Sequence, residues 1–409
     1  MTPTHPTARR ARVAVSAAFA AQGFAYALLL SSLPAFKDRY GIDDLTVTVV
    51  ILGVCVAAGI GTALAARVVR TGSSATVLRG GLVTVAVAVA VIASAPGRVE
   101  FFAGFAVYGV GLGLVDAGTN MQAVAVQRWY GRSILTSCYA AWSAAGIVGA
   151  LAVSGGAALD LARGWVLATG AVAVAVITAA AWARLWVDEG VAFDVVDGSA
   201  VPAGSALPTA AAPAAAPFAV PWSGILVLGL AIVGYFVADS AISAWSAIYL
   251  DDVVAASAAV APLAYAGYLA TTLVSRLAGD RIVHVIGRVR MVRASGALGA
   301  VGLLAVVLAT VPAVAIAGFA LAGLGLGVVA PLCFAAAGEL DAAAADAVIA
   351  RLNIFNYVGA VLGGVLVGAI GVGSTLRIGF AVPLLLAVVV VLLAPGFGTR
   401  VRPASGVRA

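Results

Sequence analysis

The sequence predicts an all-α integral membrane protein, with twelve transmembrane helices in two parallel six-helix repeats. Three observations lead there. Of the 409 residues, 63% are hydrophobic and only 10% charged, against about a quarter charged in soluble domains. Apolar runs of roughly 20 residues, long enough to cross about 30 Å of hydrocarbon as helix, recur along nearly the whole chain. A constant offset of 214 residues relates landmarks of the first half to landmarks of the second.

The runs fall near 12-36, 44-66, 76-95, 99-126, 134-158 and 164-187, then near 222-250, 257-279, 291-310, 313-337, 347-370 and 374-394. The first lacks the short apolar core of a cleaved signal and is expected to remain as a helix. Arg67 and Arg281 close the second and eighth runs, and Arg79 and Arg293 flank the third and ninth, each pair 214 apart. The fourth run contains "AGFAVYGVGLGLVDAGTN" (103-120) and the tenth "AGFALAGLGLGVVAP" (317-331), where Ala330 and Pro331 stand in place of Asp116 and Ala117. A kink is expected at the proline. Gly149 and Gly363 repeat the offset in the fifth and eleventh runs. With Gly146 and Gly359 they suit close helix packing.

An even number of spans returns the chain to its starting side, so the two halves run parallel. Residues 1-187 form the first half, 222-394 the second and 395-409 a tail. Between the halves, residues 188-221 are rich in Ala, Pro and acid and read as a flexible linker with no core of its own. Of the 23 Lys and Arg, all but Lys37, Arg39, Arg98, Arg163 and Arg377 fall on the side of the termini. The positive-inside rule then puts the linker and both termini in the cytoplasm, in an inner (plasma) membrane.

Several function classes drop out. The net charge of +6 comes with no basic run or aromatic platform, so nucleic acid is not expected as a partner. Cys55, Cys138 and Cys333 lie inside spans and form no disulfide framework. With only His5 and His284 for histidines, no metal site is expected, and no cofactor. "GVGLG" at 109-113 lies inside a span rather than after a strand, so it is no nucleotide loop. Without a phosphate loop, an ion gradient is the expected energy source. No nucleophile and base pair emerges, so the chain is not expected to be an enzyme.

Chemistry concentrates on two acids. Only Asp116 and Asp239 sit near the middle of a span. A charge there costs at least about 2.5 to 3.5 kcal/mol by insertion scales, so such groups face a water-filled cavity or a partner. No Lys or Arg is expected at their depth. Leaving water favours the neutral carboxyl, which suits loading and unloading of a proton. Asn120 follows Asp116 by four residues on one helix face. Tyr235, Asp239, Ser243 and Ser246 form a second stripe, with Trp245 near its outer end, and Gln22 and Tyr26 pair on the first helix. Gln22, Tyr26, Asn120, Tyr235, Ser243 and Trp245 are therefore candidates for the substrate cavity. Asn353, Asn356, Tyr357 and Tyr139 are weaker ones.

The duplicated halves and the linker resemble the major facilitator superfamily over the whole chain. More narrowly, Asp116, Asn120, Gly131, Arg132, Ser143, Gly146 and Gly149 resemble its YbjJ-like branch. The pattern departs at Tyr139, where a histidine is expected, at Asp239 in place of Glu, and at Ala244-Trp245 in place of Asp-Trp. The resemblance implies a cavity lined by helices 1, 4, 7 and 10 and substrate binding between halves that rock. It also implies a cytoplasmic gate at Asp280, Arg281, Gly287, Arg288 and Arg293. The expected function is secondary active transport by alternating access, coupled to protons. The expected partners are the lipid bilayer, protons and a small solute, polar and sugar-like and taken up, with the chain acting as a monomer. Efflux of amphipathic or drug-like compounds by proton antiport is the alternative within this class. A non-transporting receptor or scaffold is the alternative outside it.

Overall fold

The structure, a computed structural model, describes residues 6-71, 73-130, 134-185, 193-196, 199-202, 222-340, 345-372 and 375-398. The side chains of Ala66, Arg70, Arg128, Asp280, Arg351, Asn353 and Tyr357 also lie outside what it describes, as do Gly131 and Arg132. The first half contains α1 (Pro6–Ser31), α2 (Leu33–Tyr40), α3 (Asp44–Thr71), α4 (Ser74–Ser94), α5 (Arg98–Tyr130), α6 (Leu135–Ala158) and α7 (Arg163–Trp182). The second contains α8 (Trp222–Asp252), α9 (Leu263–Ile286), α10 (Arg288–Leu308), α11 (Pro312–Leu326), α12 (Val329–Leu340), α13 (Ala345–Val372), α14 (Leu376–Gly379) and α15 (Ala381–Leu393). Among the described residues ten stretches are long and apolar enough to cross a membrane, α11 and α12 counting as one and α14 and α15 as another. With α9 and α13 they make up the twelve runs.

The two halves pack alike. In the first, α1 touches α6 and α7, α4 touches α5 and α7, and α3 touches α5; in the second, α8 touches α13 and α15, α10 touches α11 and α15, and α9 touches α11. Glycines set this frame. A Cβ on Gly109 would meet the carbonyl oxygen of Val54 at 2.8 Å, and one on Gly323 that of Tyr268 at 2.4 Å. Likewise Gly113 faces the Ala58 oxygen at 1.9 Å and Gly327 the Thr272 oxygen at 3.1 Å. On the other flank, Gly111 meets the Val85 nitrogen and Gly325 the Gly299 nitrogen, while Gly104 meets the Ile92 nitrogen and Gly318 that of Val306. In all four pairs the glycines and their partners are both 214 apart, so the repeat holds contact by contact.

The elements depart from the sequence reading in three places. The first run does not continue as one helix: it breaks at Ser32, whose hydroxyl turns back onto the Leu28 carbonyl at 2.7 Å. The short α2 then closes on Gly41 in the left-handed region, φ 55°. Phe36 and Tyr40 stack against Phe101 of α5, and Tyr40 donates to the Ala95 carbonyl at 2.9 Å, so α2 is seated firmly. The tenth run breaks between Leu326 and Val329. Pro331 has no N–H to offer the Gly327 carbonyl one turn back, which accounts for the expected kink. The linker, expected to lack structure, contains an antiparallel pair of short strands, β1 (Phe193–Val196) and β2 (Ser199–Pro202).

Candidate solute and proton site

Below, the terminal face is the one where α1 begins, and the opposite face is where α1 ends. Asp116 lies near the middle of the 33-residue α5 and is exposed. It does not point away from the protein: Gln22 of α1, only 4% exposed, donates its Nε2–H to Oδ1 of Asp116. One turn toward the terminal face, Asn120 Nδ2 donates to the Asp116 backbone carbonyl at 2.8 Å. Asn120 Oδ1 accepts from the Tyr139 hydroxyl of α6 at 3.3 Å. Tyr139 is 41% exposed, so it joins this group more fully than its helix alone suggested. A carboxyl in mid-span held by a neighbouring helix has the partner that such a costly position demands.

Asp239 of α8 is half-buried. Its Oδ1 accepts the Tyr268 hydroxyl of α9 at 2.6 Å and meets the Tyr235 hydroxyl at 3.5 Å. The Tyr235 oxygen in turn accepts from Arg276 Nη2 at 2.7 Å. This corrects the expectation that no cation lies at the depth of the acids. An eighth run at 257-279 puts Arg276 at its end, whereas α9 runs from Leu263 to Ile286 and carries Arg276 well inside. Tyr268 and Arg276 are the site residues that sequence reading misses. Their signal is a basic residue followed by ten more helical positions.

Beyond both acids the halves close toward the opposite face. Tyr26 of α1 and Ser243 of α8 share a hydrogen bond at 3.3 Å. Farther out, Lys37 of α2 pairs with Asp44 of α3 at 2.6 Å and with Asp252 of α8. Burial alone lowers the pKa of the Lys37 ammonium, but its bonds to Asp252 and Asp44 outweigh this and raise it above the ordinary lysine value. Ser154 of α6 donates to the Ala259 carbonyl across the same seam. Cross-half contacts thus lie between the acids and the opposite face, while Asn120, half-buried, and Tyr139, exposed, lie on the terminal side of Asp116.

Other candidates fall elsewhere. Trp245, expected at the cavity, is fully buried and donates Nε1–H to the Gly364 carbonyl of α13 at 2.8 Å. Its large ring fills the gap left by Gly368 instead of lining open space. Of the gate candidates, Gly287 adopts φ 81° between α9 and α10, where a side chain would be strained, Arg281 and Arg293 are exposed, and Arg288 is half-buried. The side chain of Asp280 lies outside the described residues, so its pairing is not shown. Arg79, by contrast, ties α4 to α7, donating to the Trp182 carbonyl at 2.6 and 3.0 Å. Among the described residues no cluster of His, Cys, Asp and Glu could hold a metal ion.

Known proteins agree with this architecture. No family model matches the chain. An uncharacterized MFS-type transporter of Yersinia pestis is 27% identical over 375 residues, 90% of this chain and 91% of that protein. An uncharacterized transporter of Sinorhizobium fredii is 27% identical over 381 residues, 93% of this chain and 96% of its own length. Among solved structures, a mutant of the nucleoside transporter NupG superposes with a TM-score of 0.67 at 13% identity, covering 94% of this chain and 98% of its own. These proteins are transporters and not enzymes. In sequence and in fold alike, the chain is a multi-pass membrane protein similar over at least nine-tenths of its length to these transporters, one of them named as of the MFS type.

Proposed function

We propose that the protein is a proton-coupled secondary transporter of the inner membrane, with both termini cytoplasmic, which takes up a small solute by alternating access. The narrower kinship to the YbjJ-like branch is part of the same proposal. The observation that carries it is Asp116, an exposed carboxyl in mid-span fastened by Gln22 from the neighbouring helix. An acid so placed can exchange a proton with a cavity that opens on one face at a time. Asp239, hydrogen-bonded by two tyrosines, supplies a second such group from the other half. A roof of cross-half contacts at Lys37, with Asn120 and Tyr139 on the terminal side, fits a state open to the terminal face. Residues 1-187 and 222-394 would be the rocking halves, working within a single chain.

The test is uptake into proteoliposomes driven by external acidification, using whichever member of a broad solute panel shows flux. Asp116→Asn and Asp239→Asn are each expected to lower acid-driven accumulation at least tenfold while downhill exchange persists. Undiminished coupling in both variants would sink the reading. Absence of flux for every solute would favour a receptor or scaffold instead.

A further inference from the structure

Arg276 carries more than the frame requires. At the offset position in the first half stands Thr62, whose hydroxyl is shared between the Ala58 carbonyl of its own helix at 3.0 Å and the Gly113 carbonyl at 3.4 Å. Arg276 Nε donates to the Gly327 carbonyl at 3.3 Å, and Gly327 is the offset partner of Gly113. A neutral hydroxyl satisfies the contact in one half, and a guanidinium occupies the same place in the other. Pro331 frees the Gly327 carbonyl to accept it.

Among the described side chains the cation's direct partners are neutral, the Tyr235 hydroxyl and the Gly327 carbonyl; the side chain of Asp280, four residues along the same helix, lies outside the described residues. Among the described residues both ion pairs belong to Lys37. A guanidinium has five N–H donors in a planar fork that matches the two oxygens of a carboxylate. The acid facing it is Asp239, one tyrosine hydroxyl away and half-exposed to the same space. Of the other helices against α9, α6 and α11 contain no charged residue, and the arginines of α10 lie in its first two turns at the terminal face. Tyr268 bonds Asp239 directly, and the half-buried Tyr26 of α1 and the buried Tyr265 of α9 are titratable groups close enough to feel its charge.

We propose that Arg276 is the anion subsite of the transport site, and that the solute is a small organic carboxylate carried together with one proton. This rests on the transporter reading above. While Asp239 is ionised, it and Arg276 balance each other across Tyr235. A proton on Asp239 removes that counter-charge from the guanidinium, and the solute's carboxylate replaces it. Proton and monoanion then cross as a neutral load.

Thermal unfolding of the full-length protein in detergent tests this, because a ligand of the folded state raises apparent stability. Lactate and glucuronate are compared with the neutral glycerol and glucose. The two acids are expected to raise the melting temperature saturably, and the neutral compounds to leave it unchanged. Arg276→Thr, which copies the first-half contact, is expected to melt cooperatively and lose the shift. Arg276→Lys keeps the charge without the fork and is expected to bind at least tenfold more weakly. Should the threonine variant not fold, Arg276→Gln serves the same arm. Equal shifts with acids and neutral compounds, no shift with either acid, or an undiminished shift in the variants would overturn the proposal. An Arg276-dependent shift without acid-driven flux of the same acid would sink the transporter reading and leave the subsite standing. Acid-driven flux of glucose that survives Arg276→Thr would do the reverse.

Discussion

Gly113→Ala is expected to leave little folded protein. The added methyl carbon would lie 1.9 Å from the Ala58 carbonyl oxygen and 2.9 Å from the Thr62 nitrogen, both backbone atoms of α3. No side chain can swing away to admit it, so α3 and α5 must separate along their shared length. Ordinary overpacking costs about 1 to 3 kcal/mol. A clash of main chain with main chain is expected to exceed the top of that range. Gly80→Ala is the control, since a Cβ there has nothing within 4 Å; with the helix preference for alanine it should be neutral or stabilising by up to about 1 kcal/mol. Melting temperatures of the two purified variants decide the matter. If Gly113→Ala melts with the wild type, the close approach does not hold the frame.

Lys37→Met is expected to open the opposite face. Lys37 joins Asp44 of the first half to Asp252 of the second, and its side chain is only 15% exposed. Partly buried pairs lie between exposed ones, worth about 0 to 1 kcal/mol, and buried ones, whose breakage costs about 3 to 5 kcal/mol. Loss of about 1.4 kcal/mol would shift the open-to-closed ratio tenfold. A cysteine placed at Ser31, in a background lacking the three native ones, should then react faster with a membrane-impermeant thiol reagent applied from that face. An unchanged rate would show that the roof stands without the pair. The pH sign follows from the raised lysine. A cation stabilised in the folded state contributes fully below its ordinary value of about 10.5 and is lost only as pH climbs through the higher folded value. On the lysine side the roof should therefore be indifferent to pH between about 5 and 9 and weaken only in strong alkali.

Much of the architecture was legible because lipid demands long apolar helices and because the two halves repeat. The offset of 214, suggested by a few glycines and arginines, reappears in the partners those glycines touch. The two acids were legible for the same reason: charge is conspicuous in an apolar span. What escaped depended on depth. A boundary error of several residues moved Arg276 from the end of a helix to its interior, and with it the distinction between a topological arginine and one beside the site. Trp245 escaped because spacing assigns a face but not the neighbour on that face, and α13 covers it. Tyr268 lies on a stripe with Tyr265, Thr272 and Ser275 that spacing could have announced, but its bond to Asp239 becomes visible only when α8 and α9 are brought together.

The glycine contacts also determine how the molecule yields under load. Inside each half the close atoms opposite Gly61, Gly113, Gly302 and Gly325 are main-chain atoms, which have no rotamers to exchange. Across the seam the nearest atoms opposite Gly146, Gly364 and Gly368 belong to side chains, those of Leu269, Ile51 and Thr48. Main chain on main chain is stiff, and side chains are compliant. Under the proposed transport cycle, a force developed at the acids would therefore deflect the seam before it bends either bundle, as two rigid levers move on a soft joint.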